Sequence, residues 1–226
     1  MTKTQTMSGV ITLALLAGTA AAQIPWSNPN GMTNNYTFSN GRSANGFFGD
    51  PTFAPDGTMI FNPINFRAES IGGTPDQITD QLQVTINAKP NFNITGIRIT
   101  EFGDYTIAGN GEVTVGGGLF LTNLNVFGVR TDTLVSTPGS PITTPTPGAI
   151  WSASVFIDLS DQVGLWNSIT LQLDNTLTAR TFDSTSTALI EKKVVGGGVL
   201  IEIVPAPGSV ALLGLAGLAA TRRRRG

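Results

Sequence analysis

Apolar and polar residues alternate along most of this chain, and the period is two. Leu82, Val84 and Ile86 alternate with Gln83 and Thr85, Ile97 and Ile99 flank Arg98, and Ile169, Leu171 and Leu173 flank Thr170 and Gln172. Trp151, Ala153, Val155, Ile157 and Leu159 form a longer run of the same kind, and Val199, Ile201 and Ile203 form another around Glu202. Successive side chains of a strand point to opposite faces, so these runs predict half-buried β-strands. Helical periodicity hardly appears after Gln23. Turn-forming pairs punctuate the runs at Asn40-Gly41, Asn45-Gly46 and Asp56-Gly57, and Gly109-Asn110-Gly111 separates predicted strands at 105–108 and 112–115. Short strands and frequent turns predict an all-β fold: an antiparallel β-sandwich, jelly-roll-like in type.

Two stretches interrupt the alternation. Residues 136–148 contain four prolines, which remove ladder donors, so an extended surface loop is predicted there. An interdomain linker is the alternative, but the piece that follows is small for a separate core and has neither a disulfide nor metal ligands. The second feature is an echo: the stretch Val113 to Leu121, around Gly116-Gly117-Gly118, resembles Val194 to Ile201, around Gly196-Gly197-Gly198. Hairpins or bulges built on triple glycine account for both without a repeat architecture.

The two ends differ from the body. At the N-terminus Lys3 precedes an apolar stretch at 9–17 and the small residues Ala20, Ala21 and Ala22, the pattern of a secretory signal peptide over 1–22 with cleavage after Ala22. At the C-terminus Val204, Pro205, Ala206 and Pro207 lead into an apolar stretch at 208–220, followed by Thr221 and then Arg222, Arg223, Arg224 and Arg225. As a helix the apolar stretch spans roughly 20 Å against about 30 Å of hydrocarbon, short for a permanent anchor. Arginines at its end snorkel and hold that end on the cytoplasmic side.

This tail resembles the PEP-CTERM sorting tail of exported bacterial proteins, with Ala206 where the family's name has Glu. The resemblance covers 204–226, and it implies a short C-terminal hydrophobic sorting helix and transient membrane insertion. It also implies processing near Val204 to Pro207 by an exosortase-like membrane protease. The export translocon and signal peptidase are the partners expected at the other end.

Removing both ends exposes an acidic body at 23–203, read as one β-sandwich domain. It keeps eight basic residues against all fifteen acidic ones, a net charge of −7. No basic patch suits nucleic acid. The chain has no histidine and no cysteine, which excludes Ser-His-Asp and Cys-His nucleophiles, histidine-ligated zinc and disulfides.

The remaining candidates for chemistry are few. Glu101, Asp104 and Glu112 fall in one predicted hairpin region and offer the paired carboxylates a glycosidase uses, although solvated strand-edge carboxylates are far commoner. Asp158 with Asp161, or Asp104 with Asn110, offers oxygens for calcium without an EF-hand spacing. Trp26, Trp151 and Trp166 offer a sugar-stacking platform, with core packing favoured for Trp151 and Trp166. Gly109-Asn110-Gly111 is no phosphate loop, because a third glycine and a following helix are missing. The expectation is a non-enzymatic exported protein of the cell surface or extracellular matrix, without a cofactor. The alternative is a carbohydrate-binding module attached to exopolysaccharide.

Overall fold

A computed structural model describes residues 23–193 and 198–207, the last three through their backbone alone. The signal-peptide residues Ala20 and Ala22, the apolar tail and Arg222 to Arg225 lie outside the described residues. In chain order the first strands are β1 (Ile24–Pro25), β2 (Gly31–Met32), β3 (Tyr36–Ser43), β4 (Pro51–Phe53), β5 (Met59–Phe61) and β6 (Arg67–Ile71). There follow β7 (Asp76–Ala88), β8 (Phe92–Ala108), β9 (Gly111–Asn123), β10 (Val129–Thr133), β11 (Val135–Thr137) and β12 (Thr146–Asp158). After a 3-10 turn at Ser160–Gln162 come β13 (Ser168–Thr181), β14 (Thr187–Lys192) and β15 (Val199–Pro207).

These strands make two antiparallel sheets, as the alternation predicts. The first runs β1-β3-β7-β13-β9-β10, with β2 also on β3. The second runs β11-β12-β8-β15-β5-β4, and β14 pairs with both β8 and β6. The long strand β8 is covered on one side by β12. Its other side is shared, with β15 along 92–101 and β14 along 103–108.

The predicted rows meet in the middle of the sandwich. Leu171 sits between Val84 and Leu121, and Leu173 between Leu82 and Leu119, all fully buried. Across from them Ile97, Ile99, Trp151, Val199 and Ile201 are equally buried. Each large aliphatic side chain so enclosed stabilises the fold by roughly 1.5–3 kcal/mol, and a register slip of one residue would turn a whole row to solvent. A chain of aromatic contacts adds to this core. Phe38 stacks on Phe53 at 4.8 Å, Trp26 meets Phe61 edge-on at 5.3 Å, and Phe48 meets Phe66 at 5.5 Å.

Several sequence expectations change at element level. Asn40-Gly41 is no turn: it lies inside β3, where the register against β7 shifts between Ser39 and Arg42, and Asn40 adopts φ 57°. A bulge absorbs the extra residue. Gly109-Asn110-Gly111 is no hairpin, since β8 and β9 belong to opposite sheets and the turn carries the chain between them. The first glycine triplet makes no bulge either; Gly116, Gly117 and Gly118 pair in unbroken register with Thr176, Asn175 and Asp174. Of the second triplet only Gly198 is described, at φ 71°. The proline-rich segment joins β11 to β12, which pair with each other, and it buries Ile142 against Val113 through a two-residue bridge.

Candidate functional site

The three candidate carboxylates do not converge. Glu101 continues the inward row Ile97-Ile99 on β8 and is fully buried; its Oε2 accepts a hydrogen bond from Lys192 Nζ and its Oε1 accepts one from Asn175 Nδ2. Asp104 faces the other side of β8 and binds Lys193 Nζ at 2.7 Å. Glu112 lies on β9, in the opposite sheet, beside Arg180 at 3.4 Å. A glycosidase pair is therefore not assembled from these residues.

The calcium pairings also dissolve. Asp158 accepts the Ser160 amide at 2.8 Å, and hydrogen bonds from Ser160 hold its carboxyl below the usual range. Asp161 pairs with Arg130 at 3.3 Å. Asn110 donates its backbone amide to Ser186 Oγ, away from Asp104. Among the described residues no group of three or more Asp, Glu, His or Cys side chains is placed to hold a metal ion. The tryptophan platform fails as well, because Trp26 is buried together with Trp151 and Trp166. Gly41 makes room for its indole: a β-carbon there would lie 2.0 Å from Trp26 Cε3.

What the surface does offer is a shallow groove on the outer face of the first sheet, lined by Gly117, Gly118, Phe120, Thr131, Asp132, Thr133 and Asp174. Gly118 and Phe120 are neighbours on the outward row of β9, and β10 supplies the opposite wall. A β-carbon at Gly118 would lie 3.4 Å from the Phe120 ring, so the missing side chain leaves that side of the ring uncovered. Asp174 accepts hydrogen bonds from Gln81 and Gln172 at 2.8 and 3.0 Å, which orients its carboxylate at the groove floor. The arrangement is one aromatic face with flanking acceptors, a chemistry that suits hydroxyl-rich ligands. The glycine triplet was the signal for it in the sequence.

The residues expected to form a sorting motif lie at the end of β15. Val204, Pro205, Ala206 and Pro207 continue β15, opposite Gly96, Ile94, Asn93 and Phe92 of β8, beyond an irregularity between Val204 and Pro205. The motif is a paired strand end. Beyond 201, β15 has no second strand partner among the described residues, and such an edge tolerates residues that cannot donate. Thr95 Oγ1 donates to the Val204 carbonyl at 3.1 Å and fastens its start. Among the described residues no helix is long and apolar enough to cross a membrane.

No family model matches the chain, and no curated protein matches it. Among solved structures it is similar to TmCBM61, a protein solved in complex with β-1,4-galactotriose. The identity is 10%, the match covers 81% of this chain and 100% of that one, and the TM-score is 0.25. A likeness this loose transfers no residue and no ligand.

Proposed function

We propose that this chain is an exported, non-enzymatic β-sandwich of jelly-roll-like type. On this reading a PEP-CTERM-like tail sorts it to the cell surface or extracellular matrix and is processed there. The observation that carries the reading is the pairing of two terminal patterns on one body, a cleavable leader ending at Ala22 and a proline-punctuated apolar tail closed by Arg222 to Arg225. The position of the motif supports it: β15 leads from the centre of the second sheet directly into Val204 to Pro207, so a membrane-held tail would tether the folded body without an intervening linker. The arginines act as the stop, and an exosortase-like protease acts on the other side of the bilayer. Replacing Arg222 through Arg225 with Ser tests this in the native host. Unprocessed precursor is then released, and the proposal fails if the localisation and processing of that variant match the wild type.

The groove beside Phe120 favours one second reading, attachment to exopolysaccharide. Titration of the purified body with polysaccharides should give saturable binding that Phe120→Ala weakens at least tenfold, about 1.4 kcal/mol. No binding to any polysaccharide of the host matrix would remove this reading.

A further inference from the structure

Three polar side chains meet in the middle of the apolar core, and the functional reading above uses none of them. Glu101 comes from β8 in one sheet, Asn175 from β13 in the other, and Lys192 from the end of β14. Glu101 is 0% exposed, Asn175 2% and Lys192 3%. One carboxylate holds both partners: Lys192 Nζ on Oε2 and Asn175 Nδ2 on Oε1. The amine lies over the rings of Phe66 and Trp151, 5.1 and 5.4 Å from their centroids. Trp151 is itself fixed by its indole hydrogen bond to the Glu191 carbonyl at 3.2 Å, and Gly103 leaves it room. Asn175 Oδ1 is buried with no hydrogen-bond partner among the described residues.

As a static ion pair this is an expensive arrangement. Burying an ammonium and a carboxylate strips both of their hydration, and a buried carbonyl oxygen without a donor adds to that cost. As reactants the same groups are well chosen. They comprise a primary amine, a primary carboxamide and a carboxyl group in contact with both, shielded from water by two aromatic rings.

We propose that Lys192 and Asn175 become joined by an intramolecular amide bond, formed in the folded core with Glu101 as the proton carrier. Lys192 Nζ passes a proton to Glu101 Oε2 along their hydrogen bond, leaving a neutral amine and a carboxylic acid. Desolvation by burial pushes the Lys192 amine below its ordinary range against the opposing pull of Glu101, which favours the neutral amine. A half-turn of the Asn175 amide, whose two ends are interchangeable in shape, places the unsatisfied Oδ1 on the protonated carboxyl. The amine lone pair then forms a bond to Asn175 Cγ while the carbonyl electrons move to Oδ1, where the carboxyl hydrogen bond stabilises the developing charge. Glu101 carries a proton from the attacking nitrogen to Nδ2. The Cγ–Nδ2 bond breaks and ammonia leaves. The new amide keeps one N–H, ammonia takes three hydrogens, and the remaining proton stays on Glu101. Nothing is oxidised or reduced, and no cofactor takes part. The product ties β13 of one sheet to β14 of the other in a chain that has no cysteine to do so.

The test is peptide mapping of the full-length folded protein. Cyclisation of an N-terminal glutamine, or of an Asn-Gly pair, also releases ammonia, so intact mass alone does not decide. Trypsin should yield one branched species joining the peptides 131–180 and 181–193, lighter by one ammonia than their sum, with no cut after Lys192. Glu101→Gln, judged folded by its β-type circular dichroism, should yield 131–180 and, with the cut after position 192 restored, 181–192 as separate peptides, as should Lys192→Arg. Asn175→Asp supplies a carboxyl in place of the amide and should give a branched species identical in mass to the wild type, by loss of water. Separate, unmodified peptides from folded wild-type protein would overturn the proposal. A linked species in Glu101→Gln would overturn the role of the carboxyl.

Discussion

Gly41 shows how single residues set this fold: the Trp26 ring occupies the place of its missing side chain. Gly41→Ala is expected to displace the indole and destabilise the protein by about 1–3 kcal/mol, seen as a lower denaturation midpoint at unchanged slope. Leu171→Ala, between Val84 and Leu121 in the first sheet, should cost about 2–5 kcal/mol by the same assay. At the surface, hydrogen bonds from Ser160 depress the Asp158 carboxyl and those from Ser186 and Thr185 depress Asp183. A carboxyl lowered by folding contributes stability above its unfolded value near 4, and this is lost as the pH falls through the folded value. The melting temperature should therefore drop on acidification below about pH 4, and Asp158→Asn with Asp183→Asn should flatten that drop. The core residues were legible because alternation fixes parity. That parity also carries Ile97-Ile99 on to Glu101, and Leu171-Leu173 on to Asn175. Reading charged and amide side chains as solvated hid the buried trio.

At the scale of elements, β15 is the decisive strand, because its last residues are the proposed sorting motif. A protease acting between 204 and 207 must peel that end from β8, and the Thr95 hydroxyl on the Val204 carbonyl resists peeling. Thr95→Ala removes about 1 kcal/mol of that resistance, so processing should quicken by roughly fivefold in a pulse-chase of precursor and mature forms. An unchanged rate would mean that strand release does not limit cleavage. Strand existence was legible here from Val199, Ile201 and Ile203, whereas the extension through Pro205 and Pro207 was not. Proline rules describe a central strand, and this stretch is an edge. The same limit explains Asn40-Gly41 and Gly109-Asn110-Gly111. Local residue types mark where the backbone bends, but only the sheet on each side decides between a bulge, a hairpin and a crossing.

On the scale of the whole molecule, two antiparallel sheets follow from the alternation, while their strand order follows from long-range pairing that no local pattern encodes. The central strand β8 takes β12, β14 and β15 as partners from widely separated parts of the chain. The surface groove escaped the sequence reading because it is made by side chains that are missing, at Gly117 and Gly118, beside Phe120. The central claim concerns the ends that frame this body: an exported sandwich, released at the surface after two cuts. Mass spectrometry of the protein recovered from the cell surface or the culture of the native host tests it most directly. The expected chain begins at Gln23 and ends between Val204 and Pro207. A surface form that begins at Met1, or that still carries Gly226, would contradict it.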